Sequence, residues 1–361
     1  MKAIIWAAGL GTRLRPLTEH LPKCMVPVGA EPMIVHAIRQ CKAAGIEEIM
    51  INLHYFPAVV SEYLGNGEQY GVQLSYKIEE HLLENAGAVV NVRDFFGQEP
   101  FLAFASDNLT DIDLTAMQTH HRAKGGLVTI ATTLADDVTK YGIVSCDQNS
   151  RILSFQEKPE VSEAKGDQVA TCIYLFEPDI FEHLPKTPQK CHFGKEVFPA
   201  LLEQNVPVFA YQSGAYWNDI GNPDSYLQAN FDVLSGQAHL AIPYDEPSPH
   251  VHVGAQTYIA PSATIVPPVI IGNHCHIASH SVIGPFAAIG NHSTIEEGSM
   301  VDNTVLFENS RIGAGSLVWG SILGRHTSIY PQNQIKNLVL GENSLVNKTT
   351  TSRQESMAKK A

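Results

Sequence analysis

A six-residue repeat of aliphatic side chains runs through the last third of this chain. Nine aliphatic residues fall in one phase: Val253, Ile259, Ile265, Ile271, Ile277, Ile283, Ile289, Ile295 and Val301. Such a period is typical of a left-handed parallel β-helix, in which each repeat forms one side of a triangular coil and the aliphatic residues stack inside. The phase slips near Ile312 and resumes through Ile335, which predicts about five coils.

Seven of the sixteen histidines lie between His250 and His326, within this repeat. Because its interior positions are aliphatic, we expect His274, His276 and His280 to lie at solvated coil corners and not to bind a metal. Some hexapeptide helices belong to acyltransferases that use a catalytic histidine, so a second activity on the β-helix stays open as an alternative.

The first 235 residues have a different pattern, in which short apolar runs alternate with amphipathic helical stretches such as Ala86–Phe96. This alternation predicts an α/β fold with a Rossmann-like, mostly parallel sheet covered by helices. Three prolines between Pro243 and Pro249 predict a linker. We therefore expect an N-terminal domain over 1–235, a linker over 236–250, a β-helix over 251–347 and a disordered tail over 348–361.

Composition excludes several classes of protein. The 24 Lys and Arg residues against 37 Asp and Glu give a net charge of −13, which argues against a nucleic-acid partner. No apolar run approaches the ~20 residues of a membrane span. The six cysteines are scattered without a C-x-x-C pair, which favours neither a zinc site nor a disulfide scaffold and predicts a cytoplasmic protein.

The first predicted strand leads into Ala7-Ala8-Gly9-Leu10-Gly11-Thr12-Arg13-Leu14-Arg15-Pro16-Leu17-Thr18, followed by Pro22-Lys23. Backbone N–H groups of such a glycine-rich loop can bind phosphate oxygens, and Arg13 and Lys23 add positive charge. A dinucleotide-binding loop requires a third glycine where Leu14 stands, and a Walker A loop requires Gly-Lys-Ser/Thr. An ordinary glycine turn is the remaining alternative.

Further motifs follow along the chain. These are Asp107 after an apolar strand, Glu157-Lys158-Pro159, Phe193-Gly194-Lys195-Glu196 and Trp217-Asn218-Asp219-Ile220-Gly221. A carboxylate at the carboxyl end of a parallel strand opens into the ligand crevice of such a sheet. Together with the glycine-rich loop, the set resembles the sugar-1-phosphate nucleotidyltransferases over residues 1–234. The hexapeptide tail is similar to the branch that includes mannose-1-phosphate guanylyltransferases.

The resemblance implies a role for each matching residue. Arg13 and Lys23 would be catalytic, and Asp107 and Asp219 would hold Mg²⁺. The nucleotide would be bound by Ala8, Gly9, Gly11, Thr12, Arg13, Glu79, Asn85 and Gly87. The sugar phosphate would be bound by Gly142, Glu157, Lys158 and Thr171. The expected partners are a nucleoside triphosphate, a sugar 1-phosphate and further copies of the chain joined through or aided by the β-helix, with neither nucleic acid nor membrane.

The expected reaction forms an NDP-sugar and pyrophosphate, and GTP with mannose 1-phosphate is the first choice of substrates. Alternatives are UTP or dTTP with a glucose or hexosamine 1-phosphate, a bifunctional nucleotidyl/acetyltransferase, and a catalytically silent regulatory subunit. Four positions depart from the family pattern: Ser106 and Cys172 replace glycines, Cys24 replaces a proline, and Glu84 stands where guanylyltransferases often have glycine.

Overall fold

The computed structural model describes residues 1–135, 137–166 and 168–347. The chain divides into two compact units, one comprising Met1–Leu10 with Ile34–Trp217 and the other Gly11–Met33 with the chain from Asn218 onward. The glycine-rich segment from Gly11 therefore belongs with the repeat-containing unit and not with the strand that precedes it. The predicted disordered tail, 348–361, lies outside the described residues.

The first unit is built on a mixed nine-stranded sheet. Its strands are Lys2–Trp6, Glu48–Leu53, Gln73–Ile78, Phe101–Ala105, Val128–Leu134, Gly142–Cys146, Ile152–Glu157, Gln168–Phe176 and Val208–Gln212. Lys2–Trp6 runs parallel to both Glu48–Leu53 and Phe101–Ala105, as expected for an α/β fold. The predicted Rossmann-like sheet is thus confirmed, and the parallel strands form its N-terminal part.

The other part of the sheet is mostly antiparallel, which the sequence did not distinguish, although Val208–Gln212 runs parallel to Val128–Leu134. Strand Gln168–Phe176 runs antiparallel to Phe101–Ala105, Val128–Leu134 and Gly142–Cys146. Its register shifts between Ala170 and Tyr174, where Cys172 has a left-handed φ of 57°. Cys172 thus keeps the backbone conformation that favours glycine, which matches the family pattern at this position.

Helices connect most of these strands, and Pro223–Leu234 follows them in the second unit. The α-helices are Met33–Ala43, Pro57–Leu64, Glu84–Asn91, Arg93–Phe96, Leu114–Lys124, Phe198–Glu203 and Pro223–Leu234. Single 3-10 turns are Thr12–Leu14, Lys23–Met25, Glu68–Tyr70, Val138–Lys140, Val161–Glu163 and Pro178–Glu182, and Phe193–Val197 is a π-helix. The predicted helix Ala86–Phe96 is interrupted because Val92 has a non-helical φ of −123°. Within the described residues, no helix is long and apolar enough to cross a membrane.

The repeat forms three parallel sheets stacked coil upon coil, consistent with the predicted left-handed β-helix. The first sheet contains Val251–Val253, Val269–Ile271, Ala287–Ile289, Thr304–Leu306, Ile322–Leu323 and Val339–Leu340. The second contains Tyr258–Ile259, His276–Ile277, Thr294–Ile295, Arg311–Ile312, Ser328–Ile329 and Leu345–Val346. The third contains Thr264–Ile265, Val282–Ile283, Met300–Asp302, Leu317–Trp319 and Gln334–Lys336.

The repeat phase slips earlier than the sequence suggested. Val251 pairs with Val269, eighteen residues on, whereas Ala287 pairs with Thr304, only seventeen residues on. One side of the coil is shortened after Val301, at a turn where Asn303 has a left-handed φ of 44°. The slip was expected near Ile312 and lies one side of the coil earlier, because Ile312 follows the interior Leu306 by six residues, pairs with Ile295 and is fully buried.

Two of the three histidines predicted at coil corners lie there. His274 and His280 are exposed and have left-handed φ values of 55° and 58°, typical of a tight corner. His276 was misplaced, since it lies within strand His276–Ile277 and its side chain faces outward. The predicted linker contains a short strand, Asp245–Ser248, which pairs antiparallel with Val251–Val253 at the end of the first sheet.

The remaining short strands lie outside the large sheets. They are Pro27–Val28, Glu31–Pro32, Asn108–Thr110 and Trp217–Asp219. Pro27–Val28 pairs with Glu31–Pro32, and the Tyr226 hydroxyl donates to the Pro27 carbonyl over 2.5 Å. Tyr226 also contacts the Phe307 ring of the β-helix, at a centroid distance of 6.1 Å. Helix Pro223–Leu234 thus holds the segment 11–33 and the coils together in one unit.

Candidate active site

The glycine-rich loop begins where the central strand of the first unit ends. Ala7 and Ala8 are buried after strand Lys2–Trp6, whereas Gly9 is exposed. The Ala7 N–H donates to the Asn52 side-chain oxygen over 3.0 Å. The chain therefore leaves the sheet with its backbone fixed at Ala7 and is exposed to solvent at Gly9 and Leu10.

In the second unit the loop continues through Gly11, where the backbone leaves no room for a side chain. Gly11 has a left-handed φ of 62°, and a Cβ there would lie 2.9 Å from the Lys23 Cβ. The Thr18 hydroxyl donates to the Gly11 carbonyl over 2.7 Å. Glycine is thus required by conformation and by space. The turn Thr12–Leu14 that follows leaves Thr12 and Arg13 exposed.

The loop meets the Trp-Asn-Asp-Ile-Gly motif, about 200 residues away in sequence. The Lys23 Nζ lies 4.0 Å from the Asp219 Oδ1. The Arg13 guanidinium packs so closely against Gly221 that a Cβ on this glycine would lie 3.0 Å from it. Lys23 is only 9% exposed, so its ammonium group needs a nearby anion or polar partner to offset the cost of burial. The two cations and one carboxylate leave a local positive charge that favours a polyanionic ligand.

Asp107 lies at the carboxyl end of strand Phe101–Ala105 and is half-buried. The preceding Ser106 donates to the Trp6 carbonyl through both its backbone N–H, over 3.1 Å, and its hydroxyl, over 2.7 Å. The serine that replaces the family glycine thus forms hydrogen bonds with the neighbouring strand. Asp107 and Asp219 fall in different units, so their predicted pairing around a metal stays a prediction.

The segment around Asn85 and Gly87 packs against residues 189–193 of the same unit. The Asn85 side-chain oxygen accepts N–H bonds from Ala86 over 2.9 Å and from Phe193 over 2.8 Å. A Cβ on Gly87 would lie 2.1 Å from the Gln189 carbonyl oxygen, so glycine is required there. Asn85 therefore shapes this segment through protein contacts.

Glu79 was predicted to bind the nucleotide, and its carboxylate is held by the protein. Its Oε1 accepts from the Asn52 amide over 2.8 Å, and its Oε2 accepts from the Leu83 N–H over 3.1 Å. Both Asn52 and Glu79 are 4% exposed. No motif pointed to Asn52, which lies in a mostly apolar strand.

Two glycines enclose the Glu157 carboxylate. Gly142 pairs with Glu157 in the antiparallel ladder, and a Cβ on Gly142 would lie 3.1 Å from the Glu157 Oε2. A Cβ on Gly194 would lie 2.5 Å from the same oxygen. Gly194 was missing from the predicted site residues, although the Phe-Gly-Lys motif contains it. The next residue after Glu157, Lys158, is exposed with a left-handed φ of 48°.

Thr171 uses its hydroxyl inside the protein. It is 2% exposed, and its Oγ1 donates to the Ala131 carbonyl over 3.0 Å. Its own carbonyl accepts a hydrogen bond from the Asn108 amide, next to Asp107. Thr171 is thus placed to support the loop that carries Asp107.

His192 is a further residue that the sequence did not single out. Its Nδ1 accepts N–H bonds from Gly194 over 3.0 Å and from Lys195 over 3.3 Å, and so caps the π-helix Phe193–Val197. Burial lowers the pKa of His192 below its ordinary value of 6.5. The neutral ring is required for this cap because a protonated Nδ1 cannot accept.

Comparison with known protein families identifies the family to which the chain belongs. The nucleotidyl transferase family matches residues 2–236, and the chain belongs to that family. The GMPPB C-terminal domain matches residues 265–358, over most of the β-helix. The resemblance to sugar-1-phosphate nucleotidyltransferases is therefore confirmed, and the substrates of this family are a nucleoside triphosphate and a sugar 1-phosphate.

The chain is similar to several proteins of this family, of which two relatives and one solved structure are described. A UTP–glucose-1-phosphate uridylyltransferase from Synechocystis is 35% identical over 331 residues, which cover 88% of this chain and 85% of the relative. A mannose-1-phosphate guanylyltransferase from Mycobacterium tuberculosis is 32% identical over 237 residues, 65% of each chain. The solved structure of a putative glucose-1-phosphate thymidylyltransferase from Bacillus anthracis has a TM-score of 0.59 and 28% identity, covering 64% of this chain and 94% of that chain.

We expect the cap at His192 to make stability depend on pH. Between the lowered pKa and 6.5 the native state binds fewer protons than the unfolded chain, so stability falls as the pH falls through this window. His192→Asn keeps a side-chain acceptor, which is favoured at helix N-caps, and cannot titrate. The melting temperature of the wild type should therefore fall relative to that of His192→Asn between pH 7.5 and 5.5.

A loss of ~1 kcal/mol would appear as about 2–4 °C in a domain of this size. His280→Asn, at an exposed coil corner, is the matched control and should follow the wild type at every pH. Equal pH slopes for the wild type and His192→Asn would contradict the assignment.

Proposed function

We propose that the protein transfers a nucleotidyl group from GTP to mannose 1-phosphate, releasing pyrophosphate. The observation that supports the proposal is the proximity of Lys23 to Asp219 and of Arg13 to Gly221, which brings the glycine-rich loop to the Trp-Asn-Asp-Ile-Gly motif. The guanylyltransferase relatives and the GMPPB C-terminal domain favour this pair of substrates. The Synechocystis relative, which covers 88% of the chain, favours UTP with glucose 1-phosphate as the second candidate.

The reaction needs no covalent intermediate on the protein. A phosphate oxygen of the sugar 1-phosphate is already anionic near neutral pH, so it attacks the α-phosphorus of the nucleotide without a general base. The bond from that phosphorus to the bridging oxygen breaks, and pyrophosphate leaves with the electron pair. The work of the protein is to align two polyanions and to offset their repulsion.

The loop residues supply that positive charge. Arg13 is exposed on the turn after Gly11, whereas Lys23 is nearly buried beside Asp219. A positive charge that is fixed in a site from which water is largely excluded stabilises developing negative charge more strongly than a positive charge in bulk water. We therefore assign Lys23 to the transition state, and Arg13, with the backbone of Ala8, Gly9, Gly11 and Thr12, to binding of the triphosphate.

The sugar phosphate is assigned to the site around Glu157. The carboxylate can accept hydrogen bonds from sugar hydroxyls, and the two glycines beside it leave space at close range. Lys158 is exposed and its ammonium group can pair with the phosphate as a point charge. Gly142 and Thr171 complete this side as backbone and supporting positions.

The proposed cofactor is Mg²⁺, held by Asp107 and Asp219. The donor set fits, because Mg²⁺ prefers one or two carboxylates with phosphate oxygens and water. When bound, the ion would neutralise phosphate charge and orient the triphosphate. Asp219 also neighbours the Lys23 ammonium group, so the chain itself keeps this carboxylate in a defined place.

The cysteines support a reducing compartment. All six lie among the described residues and are free thiols, and Cys24, Cys41, Cys191 and Cys275 are buried. Burial raises the pKa of Cys41 to about 12 and that of Cys146 to about 11, which keeps both thiols protonated and unreactive. We propose the cytoplasm as the location.

The substrates are tested by pyrophosphate release in a matrix of GTP, UTP and dTTP against mannose, glucose and glucosamine 1-phosphates. We expect GTP with mannose 1-phosphate to react at least tenfold faster than any other pair, and EDTA to abolish release. Faster reaction of UTP with glucose 1-phosphate would replace the first candidate by the second. Release with no pair would contradict an enzymatic role and favour a regulatory subunit, and acetyl-CoA consumption would establish the bifunctional alternative.

For assembly, we propose that two copies pair through an apolar ridge on the third sheet of the β-helix. The ridge consists of Val282, Met300, Leu317 and Trp319, whose side chains face outward beside the buried Ile283, Val301 and Val318. Met300, Leu317 and Trp319 are 37%, 43% and 41% exposed. Isolated exposed apolar residues are common, but a contiguous patch marks an interaction site.

The charges beside the ridge make it complementary to itself. Asp302, Trp319 and Lys336 lie in register on successive coils, and the Lys336 ammonium group lies 4.8 Å from the Trp319 ring centroid. A two-fold axis through Trp319 would place Asp302 of one copy opposite Lys336 of the other, and Leu317 opposite its own copy. An isologous contact requires such self-complementarity, so the occupant that fits is a second copy of this chain.

Light scattering during size-exclusion chromatography tests this surface. We expect a dimer or larger assembly for the wild type, dissociation for Leu317→Glu, and no change for the control Leu345→Glu on a different sheet. Lys336→Asp should weaken the assembly, and the exchange Asp302→Lys with Lys336→Asp should restore it. A monomeric wild type, or an unchanged assembly in Leu317→Glu, would refute the ridge as the interface.

A further inference from the structure

Asn52 connects two strands of the central sheet through its side chain. It lies near the end of strand Glu48–Leu53, which runs parallel to Lys2–Trp6, and it is 4% exposed. Its Oδ1 accepts from the Ala7 N–H over 3.0 Å, and its Nδ2 donates to the Glu79 Oε1 over 2.8 Å. Both ends of the amide are therefore used, and its orientation is fixed by the two partners.

Glu79 continues the chain of hydrogen bonds. It follows strand Gln73–Ile78, and its backbone N–H donates to the Leu53 carbonyl over 2.7 Å. Its Oε2 accepts from the Leu83 N–H over 3.1 Å, and its carbonyl oxygen lies 2.8 Å from the His54 Nδ1. We call this series of hydrogen bonds the Asn52–Glu79 relay; it runs from the Ala7 N–H through Asn52 and Glu79 to the Leu83 N–H.

The relay joins two segments that are predicted from the sequence to bind the nucleotide. Ala7 precedes Ala8 and Gly9 of the phosphate loop, and Leu83 precedes helix Glu84–Asn91, which contains Asn85 and Gly87. Without the relay, the two buried side chains would have unsatisfied polar atoms, which destabilises the folded chain. The relay therefore fixes one segment relative to the other at the edge of the sheet.

We propose that Asn52 is a positioning residue of the nucleotide site, acting through Glu79 on the segment that starts at Leu83 and through Ala7 on the phosphate loop. The inference rests on the proposed function. It assigns no contact between Asn52 and substrate. Asn52 sets the separation of two binding segments, so its loss should weaken binding of the nucleoside triphosphate more than binding of the sugar phosphate.

The order of donors and acceptors makes the inference sharply testable. The relay has a donor N–H at each end and needs one donor between its two side chains, which is the Asn52 amide. Asn52→Asp removes that donor and places two carboxylates face to face. Glu79→Gln adds an amide that leaves one N–H facing another, whichever way the two amides turn.

The double variant Asn52→Asp with Glu79→Gln restores every bond in exchanged form. The carboxylate introduced at position 52 would accept from the Ala7 N–H and from the amide introduced at position 79. The oxygen of that amide would accept from the Leu83 N–H. The side-chain sizes are almost unchanged. Recovery in the double variant therefore isolates the hydrogen-bond pattern from size and from either residue alone.

The test measures pyrophosphate release with the full chain, varying each substrate in turn. We expect each single variant to raise KM for the nucleotide about tenfold or more and KM for the sugar phosphate by less than threefold. We expect the double variant to have a lower nucleotide KM than either single variant. Melting temperatures identify any variant that fails to fold. If a single variant fails to fold, the nucleotide KM of the folded double variant tests the inference.

The role of Asn52 would be overturned if the single variants had an unchanged KM for the nucleotide. It would also be overturned if the double variant folded but its nucleotide KM were no lower than those of the single variants. Equal rises in both KM values would also overturn it, since they indicate a general structural effect. A wild type inactive with every substrate pair would instead overturn the proposed function, so the two failures are distinguishable.

Discussion

The contact between Lys23 and Asp219 is the interaction on which the proposed chemistry depends. It brings a glycine-rich loop near the N-terminus to a motif about 200 residues later and leaves a surplus of positive charge there. Gly11 makes the contact possible, because any side chain at that position would collide with the Lys23 Cβ. A buried ammonium group with a carboxylate neighbour is a costly arrangement, and phosphate chemistry is a reason for a chain to retain it.

Residues 11–33 are supported by the β-helix. A Cβ on Gly341, in the last coils, would lie 3.0 Å from the Pro16 Cβ, so backbone and loop are closely packed there. Helix Pro223–Leu234 adds the hydrogen bond from Tyr226 to Pro27 and the ring contact with Phe307. The repeat therefore has a local role in holding residues 11–33, in addition to any role in assembly.

The sequence predicted those features that have a local pattern or a motif. The interior positions Ile277 and Ile283 were predicted correctly because the aliphatic residues repeat in one phase. The side of the coil that is one residue shorter after Val301 can be recognised in the sequence only from the changed phase of later repeats. The antiparallel pairing of strand Gln168–Phe176 could not be predicted, because its partners are distant in sequence. Asn52 and His192 carry no periodic signal, and their roles depend on backbone groups that only the folded chain brings within reach.

The central claim, that Lys23 and Asp219 act as one unit, is tested most directly by a double-mutant cycle on kcat/KM. Lys23→Gln, Asp219→Asn and the double variant would be compared by pyrophosphate release with the preferred substrate pair. Residues that act together are strongly non-additive. We predict that each single variant loses at least about 100-fold and that the double variant is no more than about threefold worse than the weaker single. Losses that multiply, giving a product of the two single effects, would contradict the account.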